Sequence, residues 1–339
     1  MRIAATRLLA IAAALGGAVP AFPQTLIAGK ALDARCDAAC LRRLADGVIA
    51  SMLAHDPAQA SLDTGARFTE NAIALPPGEG LWATATKAPG ETALYIPDPV
   101  TGEIGLYGVM EENGVPVMVA MRLRAHRGKV ADLETIVVRS TSGLYNPDGL
   151  RTVEPAFRRI KPPAGQLPRE KLVEIADAYF DGLEQDSAAI VRFHPECHRN
   201  ENGIVTAQPA GRPAPPPRAA AAGQAAPLPG VSRPPSCAAG FDSKAYSYIG
   251  TIGPRRWFAV DPERGLAMVM TMFVHPGTAA NADEHGPATA PTGTGNRPRR
   301  NLRPFNTLMA ELFEIEDGGI REVLAVGTSL PYRIGSGWD

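Results

Sequence analysis

Leu44–Met52 reads LADGVIASM and Ile175–Leu183 reads IADAYFDGL, and the two align at a constant offset of 131 (176 − 45). Around them Leu41, Leu44, Ala45, Val48 and Met52 recur at helical spacing, as do Leu172, Ile175, Ala176, Tyr179 and Leu183. Each series is the single apolar stripe of an amphipathic helix. The offset runs on without a gap to Glu70-Asn71 in RFTENA and Glu201-Asn202 in HRNENG (201 − 70). A self-similarity of this length predicts one structural unit present twice.

Further along, DPVTG (Asp98–Gly102) pairs with DPERG (Asp261–Gly265) at an offset of 163. Both read as turns, with Pro fixing φ after an Asp and Gly supplying positive φ, and each precedes a strand-like run. The 32 added residues (163 − 131) correspond to PAGRPAPPPRAAAAGQAAPLPGVSRPPS, Pro209–Ser236. That composition predicts a disordered or polyproline loop, and it lies inside the second copy rather than between the two. VPVMVAMRLRAHRGKVADLETIVV then resembles NTLMAELFEIEDGGIREVLAVG, each a long strand, a Gly-containing turn and a second strand. Each unit therefore reads as a helix, a short helix and four or so antiparallel strands, a segregated α+β plan. The expected divisions are a first domain over 33–140, a linker over 141–166 punctuated by Gly and Pro, and a second domain over 167–339. The second domain carries the Pro/Ala-rich insertion 207–236 and a further loop 276–304.

The chain has 339 residues, 34 Lys+Arg against 35 Asp+Glu and a formal charge of −1, so no bulk positive charge is available to hold a phosphate backbone. Nucleic acid is not an expected partner. MRIAATRLLAIAAALGGAVPA has two arginines, a short apolar centre and small residues before Ala21, the grammar of a secretory signal peptide over 1–21. The apolar run is shorter than a bilayer span needs, and no later stretch supplies one, so a soluble periplasmic or secreted protein is expected. Cys36, Cys40, Cys197 and Cys237 all follow that segment, and an even count in an oxidising compartment reads as disulfides. The favoured pairing is Cys36–Cys40 and Cys197–Cys237, the second pinning the Pro/Ala-rich insertion at its base. The rival reading, structural zinc, has only His194 and His198 near Cys197 and no CxxC to support it, and no metal is expected.

The order of these features, a helix ending in AHDP, then RFTENAIALPPGEGLW, then a hairpin closing in RGKVADLETIVV, resembles the nuclear transport factor 2-like superfamily, which includes SnoaL-like cyclases, ketosteroid isomerase and scytalone dehydratase. More narrowly, the tandem arrangement, the ENG segments and the closing LPYRIGSGW resemble a family of exported bacterial and fungal proteins of unknown function. The resemblance implies a cone in each half, a curved sheet wrapped on helices around a pocket, with the two fused copies pairing so that a monomer acts as an intrachain pseudo-dimer. It also places Asn71 and Asn202 where ketosteroid isomerase has its catalytic Asp, and an amide is no general base near pH 7.

Strand alternation marks other candidates. Glu134 falls on one face with Ile136 and Val138, and its counterpart in the second copy reads as Leu324. Glu311 shares a face with Met309, Phe313 and Ile315, and its counterpart reads as Arg122. A carboxylate buried without a partner is primed for proton transfer, whereas one that meets Arg122 or Arg139 is structural. His275, at the end of GLAMVMTMFVHPG, is a proton shuttle or a strand cap, and His55 in AHDP suits a helix C-terminus. Trp82, Tyr107 and Trp257, with Arg122, are candidate ligand-contacting residues, or core. Arg297, Arg299, Arg300 and Arg303 form either an anion-binding patch or a solvated loop.

No GxSxG elbow, P-loop, HExxH or dinucleotide-binding GxGxxG is present. The expectation is a cofactor-independent lyase, dehydratase or isomerase acting on a small organic molecule, with Glu70, Asn71 and Glu134 in the first half and Glu201, Asn202, Glu311 and His275 in the second as the catalytic candidates. The alternative is a non-catalytic periplasmic small-ligand-binding or scaffold protein.

Overall fold

The computed structural model describes residues 25–27, 36–141, 144–151, 155–209, 211, 234–244, 246–277 and 303–338. The expected signal peptide, most of the Pro/Ala-rich insertion, and Arg297, Arg299 and Arg300 lie outside the described residues. Arg303 is described and exposed.

The first half runs α1 (Ala38–Leu53), β2 (Leu62–Glu70), β3 (Ile73–Ala74), α2 (Leu81–Thr84), β4 (Ala85–Lys87), β5 (Leu94–Asp98), β6 (Glu103–Glu112), β7 (Val115–His126) and β8 (Lys129–Val138), preceded by a short β1 (Thr25–Ile27). After α3 (Pro147–Arg151), the second half runs α4 (Arg169–Glu184), β9 (Phe193–Glu201), β10 (Ile204–Ala207), α5 (Cys237–Asp242), β11 (Thr251–Ile252), β12 (Arg255–Asp261), β13 (Leu266–His275), β14 (Phe305–Glu316) and β15 (Gly319–Pro331).

The predicted stripes are buried, Leu44 only in part: Leu41, Ala45, Val48 and Met52 on α1, and Leu172, Ile175, Ala176, Tyr179 and Leu183 on α4. The Asp37 side chain caps α1 by accepting from Cys40 N at 2.8 Å, filling one of the donors a helix start leaves open. Gly102 and Gly265, at φ of 71° and 69°, close the two DPxxG turns in the left-handed region.

The sheets repeat one order. The first is β3-β2-β8-β7-β6 with β4 and β5 on the outer edge of β6, and the second is β10-β9-β15-β14-β13-β12 with β1 added outside β12. Each departs from the purely antiparallel plan at a shared point, and the second sheet also at β1, which runs parallel to β12. The last strand of the unit returns beside the first and runs parallel to it, β8 along β2 and β15 along β9.

Each sheet has two occupied faces. One covers the half's own long helix, as in the cluster of Leu41, Met52, Leu106, Met121 and Leu133, or that of Leu172, Phe180, Val269, Phe313 and Val323. The other faces the sheet of the other half, where Tyr107, Met118 and Ile136 meet Phe258, Met268, Met270 and Leu312. The two cones thus pair sheet to sheet within one chain. Burial of this apolar surface is the largest favourable contribution to that pairing. Backbone ties reinforce it: Asp98 Oδ2 accepts from Val260 N at 2.9 Å, and Thr101 Oγ1 donates to Phe258 O at 3.0 Å. At the other end of the interface, Trp338 Nε1 donates to Thr69 Oγ1 at 2.8 Å beneath the Arg67 guanidinium.

Cys36 is bonded to Cys40, and Cys197 to Cys237. With the sulfurs joined, none remains as a thiolate for zinc. His198 Nδ1 instead lies 2.9 Å from Glu322, and His194 Nδ1 accepts from Glu196 N. No helix among the described residues is long and apolar enough to cross a membrane.

Candidate functional site in the second cone

The ladders fix which residues of the two halves correspond. Asn71 N donates to Thr135 O and Asn202 N to Ala325 O, so Thr135 matches Ala325 and Glu134 matches Leu324 (325 − 135 and 324 − 134). Glu134 lies opposite Arg122 and Leu324 opposite Leu312, so Arg122 matches Leu312 and Glu311 matches Met121. The sequence pairing of Glu311 with Arg122 is therefore corrected by one position. Side chains alternate along a strand, so that single step moves a residue from one face to the other.

Glu311 faces the interior of the second cone with Phe313 and Ile315, fully buried, and neither carboxylate oxygen has a hydrogen-bond partner among the described residues. Burial raises its pKa to about 8; the Arg199 charge opposes that rise and the Glu201 charge adds to it. Ala325 is the ladder partner of both Glu311 and Glu201. The two acids therefore lie on one face, two strands apart, with about 10 Å between their backbones and only a methyl group between them.

Arg199 stands two residues before Glu201 on the same face of β9. It is buried, ion-paired to Glu201, donates to the Tyr246 hydroxyl, and lies 5.7 Å and 5.0 Å from the ring centres of Tyr179 and Tyr246. Its Nε, the Tyr179 hydroxyl and Thr271 Oγ1 have no hydrogen-bond partner among the described residues. Desolvation raises the pKa values of Tyr179, Tyr246 and Tyr248, the last to about 12, so all three phenols stay protonated near neutral pH. The cluster offers Tyr179, Thr271 and Arg199 Nε as donors and Glu311 as a proton carrier, set among Phe180, Phe241 and Phe313. Sequence reasoning missed Arg199, Thr271, Tyr246 and Tyr248. Only the odd-numbered alternation of β9 and β13 pointed to the first two, and Tyr179 stood in the helix stripe as core.

His275 lies on this same sheet face but far from Glu311. Its ladder partner is Phe305, six residues from Glu311, or about 20 Å along β14. It stacks between Phe305 and Tyr248, at ring distances of 4.1 Å and 5.3 Å, and burial lowers its pKa to about 4 against backbone contacts at Phe305 and Phe273. Trp257 closes the helix side of the cone, its Nε1 donating to Asp177 Oδ1 at 2.9 Å.

The first cone is built from the same strands and holds no such cluster. Where the second cone has Tyr179, Arg199, Thr271 and Glu311, the matching positions are Val48, Phe68, Gly108 and Met121. Glu70 accepts from Leu81 N at 2.6 Å and from Arg139 Nη2 at 2.8 Å, with Glu112 on the same guanidinium. Trp82 is fully buried edge-on to Phe68 at 5.7 Å, and His55 Nδ1 sits 3.1 Å from its carbonyl oxygen. Asn71 and Asn202 play one part in the two halves. At φ of 49° and 48°, each clasps the last strand, Asn71 pairing its amide with both backbone groups of Val137 (3.0 and 2.8 Å) and Asn202 with those of Gly327 (2.8 and 2.9 Å).

Glu134, Arg122 and Tyr107 lie on the other face, between the sheets. Glu134 is fully buried and held by both Nη atoms of Arg256 from the second half, at 2.7 and 2.6 Å, with Arg122 at 3.6 Å. Arg122 in turn pairs with Glu103 at 2.7 Å. The Tyr107 hydroxyl has no partner among the described residues. Among those residues no group of histidines, cysteines and acids is arranged to hold a metal ion.

Residues 165–327 match the family model described as a domain of unknown function (DUF8021). No curated protein matches the chain. Solved structures similar to it include AclR, a putative hydroxylase from Streptomyces galilaeus, at 6% identity and a TM-score of 0.27 over 48% of this chain and 81% of its own. Two others are a putative polyketide cyclase from Silicibacter sp. TM1040 (11% identity, TM-score 0.27, 48% and 92%) and a putative SnoaL-like polyketide cyclase from Jannaschia sp. CCS1 (10%, 0.27, 50% and 90%). These overall likenesses are low. The repeated strand order, the parallel return strand and the helix under each sheet show that both halves have one fold, a sheet packed on a long helix.

Proposed function

We propose that this is an exported, cofactor-independent lyase, dehydratase or isomerase that works by general acid/base chemistry on a small organic molecule inside the second cone. The observation that carries the reading is Glu311, a carboxyl group fully buried in the second cone with neither oxygen hydrogen-bonded among the described residues. Held protonated near neutral pH, it is the proton donor, and the carboxylate left behind takes a proton back from the neighbouring carbon or oxygen. Tyr179 and Arg199 Nε are the donors that steady negative charge on the substrate oxygen, and the aromatic walls exclude water. Glu201 belongs to the site as the partner of Arg199, and His275 to its outer end. Glu70, Asn71, Asn202 and Glu134 serve the frame, the first by holding Leu81 N and Arg139, the two asparagines by clasping the last strand of each unit, and Glu134 by joining the halves. Two disulfides support the exported part of the reading, since such bonds persist in oxidising compartments.

The test begins by screening the purified protein against a metabolite library by thermal shift, because a ligand bound to the folded state alone raises its apparent stability. Each hit is then assayed for turnover by the wild type and by Glu311→Gln. A loss of about 100-fold or more is expected; turnover unchanged by the substitution overturns the reading. A second reading, ligand binding or scaffolding without catalysis, is favoured by the first cone, whose interior is filled by Leu41, Met52, Leu106 and Met121. Under it, hits bind and no compound is consumed.

A further inference from the structure

Of the polar residues inside the second cone, Arg199 is the one joined to Glu201, Tyr246 and Tyr179 together. It is ion-paired to Glu201, bonded to the Tyr246 hydroxyl and covered by the Tyr179 and Tyr246 rings, and it shares a strand face with the row that holds Glu311. The matching residue in the first cone is Phe68, packed edge-on against Trp82, and in that cone the position of Glu311 is Met121. The arginine and the unengaged acid therefore occur together in one half and are absent together from the other.

We propose that Arg199 is the positioning residue of the second cone: it anchors Glu201 and Tyr246 around Glu311 and so sets how readily that acid gives up and recovers its proton. The proposal rests on Glu311 being the acid/base group, and it concerns the control of that group. The charged and titratable groups around Glu311 are Arg199 and Glu201 from β9, Tyr179 from α4 and Tyr246 after α5; the Glu311 charge is also felt by Tyr107 of the first half. Its ladder partners Ala325 and Val269 carry no charge. A cation held at fixed distance favours the carboxylate, and a second acid disfavours it. Because Arg199 holds Glu201 in place, the two effects are set by a single side chain.

The experiment is a carboxyl-carbon NMR titration of the full mature chain, labelled at glutamate, with the Glu311 resonance assigned by its loss in Glu311→Gln. Glu311 is expected to titrate at higher pH in Arg199→Met than in the wild type, at lower pH in Glu201→Gln, and near the wild-type value in Arg199→Lys, where the charge is kept. Arg199→Met leaves Glu201 buried without its partner, so Arg199→Met/Glu201→Gln covers the case in which the single variant does not fold. Its Glu311 is expected to lie between the two single variants, and Tyr246→Phe is expected to move it less than Arg199→Met or Glu201→Gln does. A Glu311 titration that Arg199→Met or the double variant leaves at the wild-type pH, or shifts downward, overturns the proposal. The readout needs no substrate. If Glu311 shifts as described while Glu311→Gln leaves turnover intact, the proposal about Arg199 stands and the assignment of the reaction to Glu311 falls.

Discussion

The two cones share a strand order, a helix and an Asn clasp, yet one interior is apolar apart from Glu70, which is held by Arg139, and the other holds an arginine, three phenols and two acids. The difference is made by few positions on a common frame. Val48 against Tyr179, Phe68 against Arg199, Gly108 against Thr271 and Met121 against Glu311 all point inward, while the turns and the return strand are unchanged. A frame held by backbone pairing and a helix stripe leaves the inner face of its sheet free to vary, so one copy of a duplicated unit can keep a polar interior while the other serves as its support.

The sharpest way to break this comparison is to exchange the pair of residues that separates the halves. Glu311→Met gives the second cone the residue of the first and is expected to abolish the proposed turnover, by at least about 100-fold, with the fold intact by circular dichroism. The reverse change, Met121→Glu, buries a carboxylate in the cone that has Phe68 where the second has Arg199. It is expected to destabilise the first cone by several kcal/mol near neutral pH, read by denaturant unfolding. Equal tolerance of both exchanges would remove the distinction.

Next in size is the ion pair between the halves. Arg256→Met leaves Glu134 buried with Arg122 as its remaining cation, and a cost of about 3 to 5 kcal/mol is expected. Adding Glu134→Leu, the residue found at the matching position 324, should recover most of that loss. A double variant no more stable than the single one would show that the pair is not what the interface needs.

Stability against pH separates the cones in a third way. The folded state keeps Glu311 protonated up to about pH 8, while the unfolded chain releases that proton near the ordinary glutamate value, so the folded state binds more protons between the two. Stability contributed by the protonated acid is fully present at low pH and is lost as pH rises through that window. Glu311→Gln should therefore gain on the wild type as pH increases from about 5 to 8. Parallel stability curves for the two proteins would contradict the burial of an unpartnered acid. The smallest effect is expected for the clasps: Asn71→Ala and Asn202→Ala should each cost about 1 to 3 kcal/mol, and by similar amounts, if the ENG segments serve structure in both halves.

Much of the architecture was legible because it rests on local periodicity. The stripes of α1 and α4, the DPxxG turns and the constant offset predicted two copies of a helix-and-sheet unit, and resemblance supplied their pairing. The site was legible only in part. Glu311 and Glu201 were named, but alternation along one strand cannot say what lies across from it, and Glu134, with the same pattern, turned out to face the other half and Arg256. The parallel return of β15 beside β9 is what brings Arg199 and Glu201 toward Glu311, and a contact between residues more than a hundred positions apart leaves no local trace. Tyr179 was hidden for a different reason: a phenol in a helix stripe has the spacing of core whether or not its hydroxyl is used.

The bond between Cys197 and Cys237 brackets the whole Pro/Ala-rich segment. A single protease cut between residues 210 and 233 would divide the polypeptide in two, yet the pieces would stay covalently linked and migrate as one species until a reductant was added.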